Sequence, residues 1–169
     1  MSSKGKFFSF MAHNTEIERK FLVRSESWRK DAVERFDIQQ GYLCKEAEKT
    51  IRVRIRDKRA FLTIKSNILR EGLAKFEWEK EIDFWDAKEL MKLCLQPTIH
   101  KTRYIIPCTK ERSTMYEGQR VWEVDVFHGH KEGLVMAELE LGSEDEPFER
   151  PEWLGEEVTG QPQYYNANM

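Results

Sequence analysis

Charged residues spaced two apart carry most of the chemical information in this chain. Glu16, Glu18 and Lys20 alternate with Ile17, Arg19 and Phe21, and the same spacing recurs at Arg52, Arg54 and Arg56 and at Glu77, Glu79 and Glu81. It appears again at Lys101 and Arg103, at Glu123 and Asp125, and at Glu138 and Glu140. Residues two apart on an extended strand share a face, so each run places a block of charge on one side of its strand. Like charges about 6 to 7 Å apart repel, and such a face adds stability only where opposite charges meet it. A solvated surface with ion pairs between neighbouring strands is one way to supply them. A shared cavity is another. Carboxylate pairs hold hard divalent cations such as Mg²⁺, while Lys and Arg grip an anion bridged to those cations. The ligand that needs both kinds of partner at once is a polyphosphate.

The elements that must position these residues are mostly strands. Thr15 to Val23, Asp37 to Cys44, Lys49 to Asp57, Ala60 to Ser66, Ala74 to Phe84, Thr98 to Pro107, Ser113 to Tyr116, Gln119 to Phe127 and Leu134 to Leu141 alternate or are rich in β-branched and aromatic residues. Asp57-Lys58-Arg59 and Glu117-Gly118 lie at hairpin distance between such runs. Helical patterns are short: Trp28 to Phe36 after a Ser27 cap, Ala87 to Leu95 after an Asp86 cap and ended by Pro97, and a last turn at Pro151 to Gly155. The expected class is α+β, dominated by an antiparallel sheet. If that sheet curls into a barrel with its ionic faces inward, the apolar faces lie outside, covered by the helices and by strand edges.

Composition narrows the partners. The 169 residues carry 28 Lys and Arg against 30 Asp and Glu, a net charge of −2, so a surface that binds nucleic acid or anionic lipid throughout is excluded and any polyanion site is local. No run approaches the ~18 apolar residues of a membrane span, and Met1 to Phe10 reads as a tail, too brief for a signal peptide. Cys44, Cys94 and Cys108 form no Cys-x-x-Cys pair and read as small apolar residues, which fits a reducing cytoplasm. His128-Gly129-His130 reads as a polar turn. Neither a phosphate-binding glycine loop nor a serine-hydrolase or zinc-protease motif occurs.

Glu16-Ile-Glu-Arg-Lys20 resembles the Glu-x-Glu-x-Lys signature of the CYTH superfamily, the triphosphate tunnel metalloenzymes. Gln40-Gly-Tyr-Leu43, Arg52-Val-Arg54, Leu62-Thr-Ile-Lys65, Phe76-Glu-Trp-Glu79, Lys101-Thr-Arg-Tyr104, Trp122-Glu-Val-Asp125, Ala137-Glu-Leu-Glu-Leu141, Val158-Thr-Gly160 and Tyr165-Asn166 are similar, in order, to short bacterial-type members. The resemblance implies an eight-stranded antiparallel β-barrel, a triphosphate tunnel with a few short helices packed outside, and a requirement for Mg²⁺ or Mn²⁺. It implies Glu16, Glu18, Glu77, Glu79, Asp125, Glu138 and Glu140 as metal-side carboxylates, and Lys20, Arg52, Arg54, Lys65, Lys101 and Arg103 as the phosphate clamp. It also implies that Lys20 and Tyr42 help to activate the attacking water. For Tyr42 a role as a packed aromatic stands beside that one.

Three functions follow, in order of preference. The first is a metal-dependent triphosphatase, acting on inorganic tripolyphosphate. The second is a class IV-type adenylate cyclase, making cyclic AMP and pyrophosphate from ATP. The third is a noncatalytic polyphosphate-binding barrel, which leaves the Glu-x-Glu pairs unexplained, because carboxylates facing an anion cost affinity. Residues 1–12 are expected to be a tail and residues 13–169 a single domain. The expected partners are a small-molecule triphosphate or polyphosphate and a second copy of the chain, a homodimer, with neither membrane nor nucleic acid.

Overall fold

A computed structural model describes residues 17–46, 48–66, 76–108 and 120–169. Its strands are β1 (Ile17–Val23), β2 (Glu34–Lys45), β3 (Lys49–Arg56), β4 (Arg59–Ser66), β5 (Phe76–Ile82), β6 (Leu95–Pro107), β7 (Val121–His128), β8 (Val135–Leu141) and β9 (Leu154–Glu157), with one α-helix, α1 (Phe84–Lys92), between β5 and β6. Short 3₁₀ turns occupy Ser27–Asp31, Gly129–Lys131, Pro162–Tyr164 and Asn166–Asn168. All strand pairs are antiparallel, in the order β5-β4-β3-β2-β6-β7-β8-β1-β9. The fold is thus mostly antiparallel sheet with one helix. Instead of eight strands closed on themselves, the described residues give nine in an open order, with no ladder joining β5 to β9.

The sheet nevertheless curls strongly. Four strand spacings separate β1 from β2, which in a flat sheet is roughly 19 Å, beyond the reach of a screened charge. Yet the Lys20 ammonium on β1 acts on the Tyr42 phenol on β2. Only a concave sheet brings those two side chains near one another.

Register assigns the faces. Residues directly opposite on antiparallel strands share a face, and the pairs Glu77↔Lys65, Thr63↔Arg52, Arg52↔Tyr42, Arg54↔Gln40, Gln40↔Ile99, Arg103↔Asp125, Glu123↔Glu138, Glu138↔Lys20 and Glu140↔Glu18 run across the whole sheet. Alternation along each strand links one pair to the next. The charged blocks therefore line one surface, the concave one. Toward one end that surface turns apolar, where Leu22, Ile99, Phe127 and Met136 pack with Val158, Tyr164 and Met169. The convex side carries two further clusters. Phe21, Trp122, Val124, Ala137 and Leu139 pack with Trp28 and Trp153, and Val53, Ile55 and Ala60 pack under Ala87, Leu90 and Met91 of α1. Gly41 makes the second cluster possible, since a Cβ there would lie 2.7 Å from Cys94 Cβ and 2.8 Å from its Sγ.

Several expected elements change. Trp28 to Phe36 is not a helix: only Ser27–Asp31 forms a short 3₁₀ turn, and β2 begins at Glu34. The Val33 N–H donates to Ile105 O at 2.9 Å, so pairing with β6 takes the backbone the helix would have used. The cap of α1 is Asp83, whose carboxylate accepts from the Trp85 and Asp86 N–H groups, rather than Asp86. The helix ends at Lys92, and Pro97, after a cis bond from Gln96, lies within β6. Pro151 to Gly155 is not a helix: a turn at Glu152 and Trp153 leads into β9, which begins at Leu154. The Asp57 turn holds, with Asp57 at φ 53° and its carboxylate accepting the Asp37 N–H at 2.9 Å. His128 to His130 leads into a 3₁₀ turn. Ser113 to Tyr116, Glu117-Gly118 and Glu16 lie outside the described residues.

β9 is tied to β1 by Glu157, which accepts from Arg19 Nε at 2.5 Å, Arg19 Nη2 at 2.8 Å and the Thr159 hydroxyl at 2.9 Å. The Arg19 hydrogen bonds hold the Glu157 carboxyl below its usual range. A carboxylate lowered on folding contributes stability that is complete above its unfolded value, about 4.3, and is lost as pH falls through the folded value. Glu157→Gln is expected to cost about 1 kcal/mol in urea unfolding at pH 7, and the gap from wild type should close in acid. A gap of the same size at both pH values would assign the effect to something other than this ion pair.

Candidate active site

Two charged networks occupy the concave surface. The first joins β1, β6, β7 and β8. Lys20 Nζ lies 2.5 Å from Glu138 Oε1 and 2.8 Å from Glu18 Oε2. Arg103 donates from Nη2 to Glu138 Oε2 at 2.9 Å and to Asp125 Oδ2 at 2.6 Å, from Nε to Asp125 Oδ1 at 2.7 Å, and from Nη1 to Glu123. Lys101 Nζ donates to Asp125 Oδ2 at 2.6 Å and to Asn166 Oδ1 at 3.2 Å. Lys20, Lys101, Asp125 and Glu138 are all buried, at 1 to 6% exposure, which is rare for ionised groups unless they pair.

The ionisation of this network follows from its pairing. Burial alone would raise Glu138, but Arg103, Lys101 and Lys20 outweigh it and hold the carboxyl far below its usual range. Glu18 moves the other way: burial and the charge of Glu138 raise it, against the pull of Lys20. Burial pulls the Lys20 ammonium down, yet Glu138 and Glu18 win and leave it raised. Lys20 is therefore an ammonium here, donating to Glu138 beside Glu18. Lys101, more completely enclosed, is lowered by burial.

The second network spans β2 to β5. Arg54 Nη2 donates to Glu79 at 3.2 and 3.3 Å, Arg52 Nη2 lies 3.5 Å from Glu79 Oε2, and the Thr63 hydroxyl donates to Glu79 Oε2 at 2.6 Å. Although burial works against ionisation, the Thr63 hydrogen bond and the two arginines keep Glu79 below its usual range. Burial, then the neighbouring Arg52, lowers the Arg54 guanidinium. The Tyr42 phenol, 7% exposed beside them, is raised by burial against the opposing pull of Arg52, Arg54 and Lys20, so it keeps its proton. On this face, three buried donors find no acceptor among the described residues: Arg52 Nε, Arg54 Nε and Gln40 Nε2. Basic groups here outnumber the carboxylate that serves them.

The structure thus separates the expected carboxylates. Glu18 and Glu138 meet across Lys20, and Glu140 lies opposite Glu18 in register. Asp125 is enclosed as counter-ion to Lys101 and Arg103. Glu79 belongs to the arginines of β3, and Glu77 pairs with Lys65 at 3.0 Å on a more exposed part of the surface. Lys101 faces Asp125 and Asn166 rather than open space. Thr63, Glu123 and Asn166 join the networks, and Gln40 lies beside them opposite Arg54, although the sequence assigned none of the four to the site. For Thr63 the signal was its place two residues before Lys65, for Gln40 its place two before Tyr42, and for Asn166 the Tyr165-Asn166 pair of the family resemblance.

The donor set on β1 and β8 consists of carboxylate oxygens alone, which suits a hard divalent cation and not a soft one. Among the described residues no three His, Cys, Asp or Glu side chains gather closely enough to hold a metal by themselves. Lys20 instead stands between Glu18 and Glu138. Glu138 and Glu140 share a face of β8 and Glu140 lies opposite Glu18 on β1, so the donor chemistry fits such a cation.

A model of the CYTH domain matches residues 14–168. The chain belongs to the CYTH domain family. It is 39% identical over 155 residues to an inorganic triphosphatase of Acetivibrio thermocellus, covering 91% of this chain and 92% of that protein. It is 35% identical over 158 residues to an inorganic triphosphatase of Nitrosomonas europaea, covering 92% and 96%. A solved structure of an inorganic triphosphatase superposes with a TM-score of 0.65 at 33% identity, covering 91% of this chain and 93% of that one.

Proposed function

We propose that this chain is a metal-dependent hydrolase of triphosphate compounds, with inorganic tripolyphosphate as substrate and phosphate as product. The observation that carries the reading is the sorting of the concave surface. Carboxylates with Lys20 lie on β1 and β8, and arginines with unmatched donors lie on β3, facing them across the curl. A chain of phosphates carries the acceptor oxygens that Arg52 and Arg54 lack and the negative charge that a cation on the carboxylates would bridge. The likeness to two proteins named inorganic triphosphatases, over most of each chain, supports the same substrate.

Each group then has a part. Arg52 and Arg54 bind and orient non-bridging oxygens, and Arg103, fixed by Asp125, Glu123 and Glu138, adds fixed positive charge. Lys65, half exposed, takes the outer end of the anion. Lys101 and Asp125 hold Arg103 in place from beneath. Glu18, Glu138 and Glu140, with Glu16 beyond the described residues, would hold Mg²⁺ or Mn²⁺. Such a cation supplies charge neutralisation and polarises the attacking water. Lys20 and Tyr42, both protonated, stabilise developing charge and orient water as donors. Residues 13–169 form the functional unit. The absence of any disulfide, with all three cysteines free, supports a cytoplasmic location, and no helix among the described residues is long and apolar enough to cross a membrane.

A phosphate-release panel tests the reading, using tripolyphosphate, ATP, thiamine triphosphate and pyrophosphate, each with Mg²⁺, Mn²⁺ or chelator, and with cyclic AMP measured alongside. Tripolyphosphate is expected to be hydrolysed fastest, with release abolished by chelator and no cyclic AMP formed. Cyclic AMP from ATP would make the chain a cyclase. Binding without release in every arm would leave only a polyphosphate-binding protein. Because tripolyphosphate neutralises crowded arginines in the folded state alone, it should also raise Tm by mass action. An unchanged Tm at millimolar anion and metal would argue against the site.

A further inference from the structure

Gln40 lies at the centre of the concave surface, opposite Arg54 on β3 and Ile99 on β6. It is two residues from Tyr42 on the same strand and only 2% exposed. A buried primary amide ordinarily has its donors matched, because an unmatched one costs about 1–3 kcal/mol. Among the described residues the Gln40 Nε2 group has no hydrogen-bond partner, and neither have Arg52 Nε and Arg54 Nε on the adjoining strand. Three unmatched donors on neighbouring strands of one surface call for a ligand that only accepts hydrogen bonds. The acceptor nearby, Glu79, is already taken by Thr63, Arg54 and Arg52.

Resting on the triphosphatase reading, we propose that Gln40 is a substrate-binding residue, a neutral donor whose amide N–H₂ binds a non-bridging phosphate oxygen between the arginines of β3 and the basic groups of β6. Neutrality is the point of an amide here. Burial and Arg52 already depress the Arg54 guanidinium, and a further cation beside it would add repulsion. A carboxylate would pair with Arg54 and compete with the anion. The amide adds a contact without altering the charge balance, and the unmatched donor it keeps in the unliganded protein is a cost recovered on binding.

Binding of tripolyphosphate to metal-stripped protein, measured by calorimetry so that no hydrolysis is needed, separates this role from a structural one. Gln40→Met keeps volume and removes the donor. It is expected to weaken tripolyphosphate affinity about 10-fold, while the Tm of the unliganded protein stays level or rises. Gln40→Glu, with the same shape and a negative charge, is expected to weaken affinity by about 100-fold, with KM for tripolyphosphate in Mg²⁺ rising more than kcat falls. Wild-type affinity in Gln40→Glu would overturn the proposal. So would a lowered Tm with unchanged affinity in Gln40→Met, since that makes the amide structural. If Gln40→Met does not fold, Gln40→Glu decides alone. Failure of the wild-type protein to bind tripolyphosphate overturns the triphosphatase reading itself, and so is distinct from failure of the variants to differ from it.

Discussion

Glu138→Gln is expected to lower turnover of tripolyphosphate by about 10²-fold or more, the scale of losing one preorganised electrostatic contact, and to lower Tm as well. Its carboxylate is 6% exposed and accepts from Lys20 Nζ at 2.5 Å and Arg103 Nη2 at 2.9 Å. Breaking a buried ion pair by neutralising one member costs about 3–5 kcal/mol when the other is left alone. Here the loss should be smaller, because Lys20 keeps Glu18 and Arg103 keeps Asp125 and Glu123. Glu140→Gln separates the two effects. Glu140 sits two residues on, along the same strand face and exposed, so its neutralisation should leave Tm nearly unchanged and still reduce turnover at saturating Mg²⁺. Initial rates and thermal unfolding of both variants are the measurements. If Glu138→Gln loses only stability and Glu140→Gln loses nothing, the acidic face of β8 is a set of counter-ions and not a cation site.

Much of this surface was legible because strand parity is unambiguous. Arg52 and Arg54 cannot leave the face opposite Ile51, Val53 and Ile55 without exposing those side chains, and Val53 and Ile55 are buried under α1. The same reasoning carried Glu18 with Lys20, and Glu138 with Glu140. Parity names a face but not the neighbour across it. Nothing local indicated that Asp125 would be enclosed by Lys101 and Arg103, or that Glu79 would answer to β3, because those contacts depend on strand order and register. Gln40 entered only through the Gln40-Gly-Tyr-Leu43 resemblance, with no role of its own, for a related reason: a neutral side chain adds nothing to a charge pattern.

The misread helix has a different cause. Trp28, Ala32, Val33 and Phe36 fit a helical stripe, but Val33 N–H bonds to Ile105 O and Phe36 lies opposite Arg103 in the ladder. Pairing with a strand some seventy residues away outweighed a short local periodicity. β9 and the turns after it were hard to read for the same reason. Their contacts are the Val158 N–H to Lys20 O at 2.8 Å and the packing of Met169 against Phe127 and Met136, all distant in sequence.

Arg54→Met is expected to raise KM for tripolyphosphate by about 10- to 100-fold, with a lower rate, without weakening the unliganded fold. The two halves of that expectation come from one geometry. Arg52 and Arg54 stand two residues apart on one strand face, and burial with this mutual repulsion lowers the Arg54 guanidinium. Its Nε has no acceptor among the described residues. Removing the guanidinium relieves both costs; it also gives up the contact of Arg54 Cζ with the Phe61 ring, whose centre lies 5.6 Å away, and an unbranched apolar stem remains to cover that ring. Glu79 is not stranded, since Arg52 at 3.5 Å and the Thr63 hydroxyl at 2.6 Å remain to it. The unliganded Tm should therefore hold or rise. The ligand loses a charge-assisted contact in a partly desolvated place, where such contacts are strongest. Tripolyphosphate affinity measured at rising salt adds a third reading: the wild-type value should fall more steeply than the variant's, because one fewer cation faces the anion. A variant with reduced Tm and unchanged KM would mean that Arg54 serves Glu79 and the sheet, and that the anion binds elsewhere on the concave face.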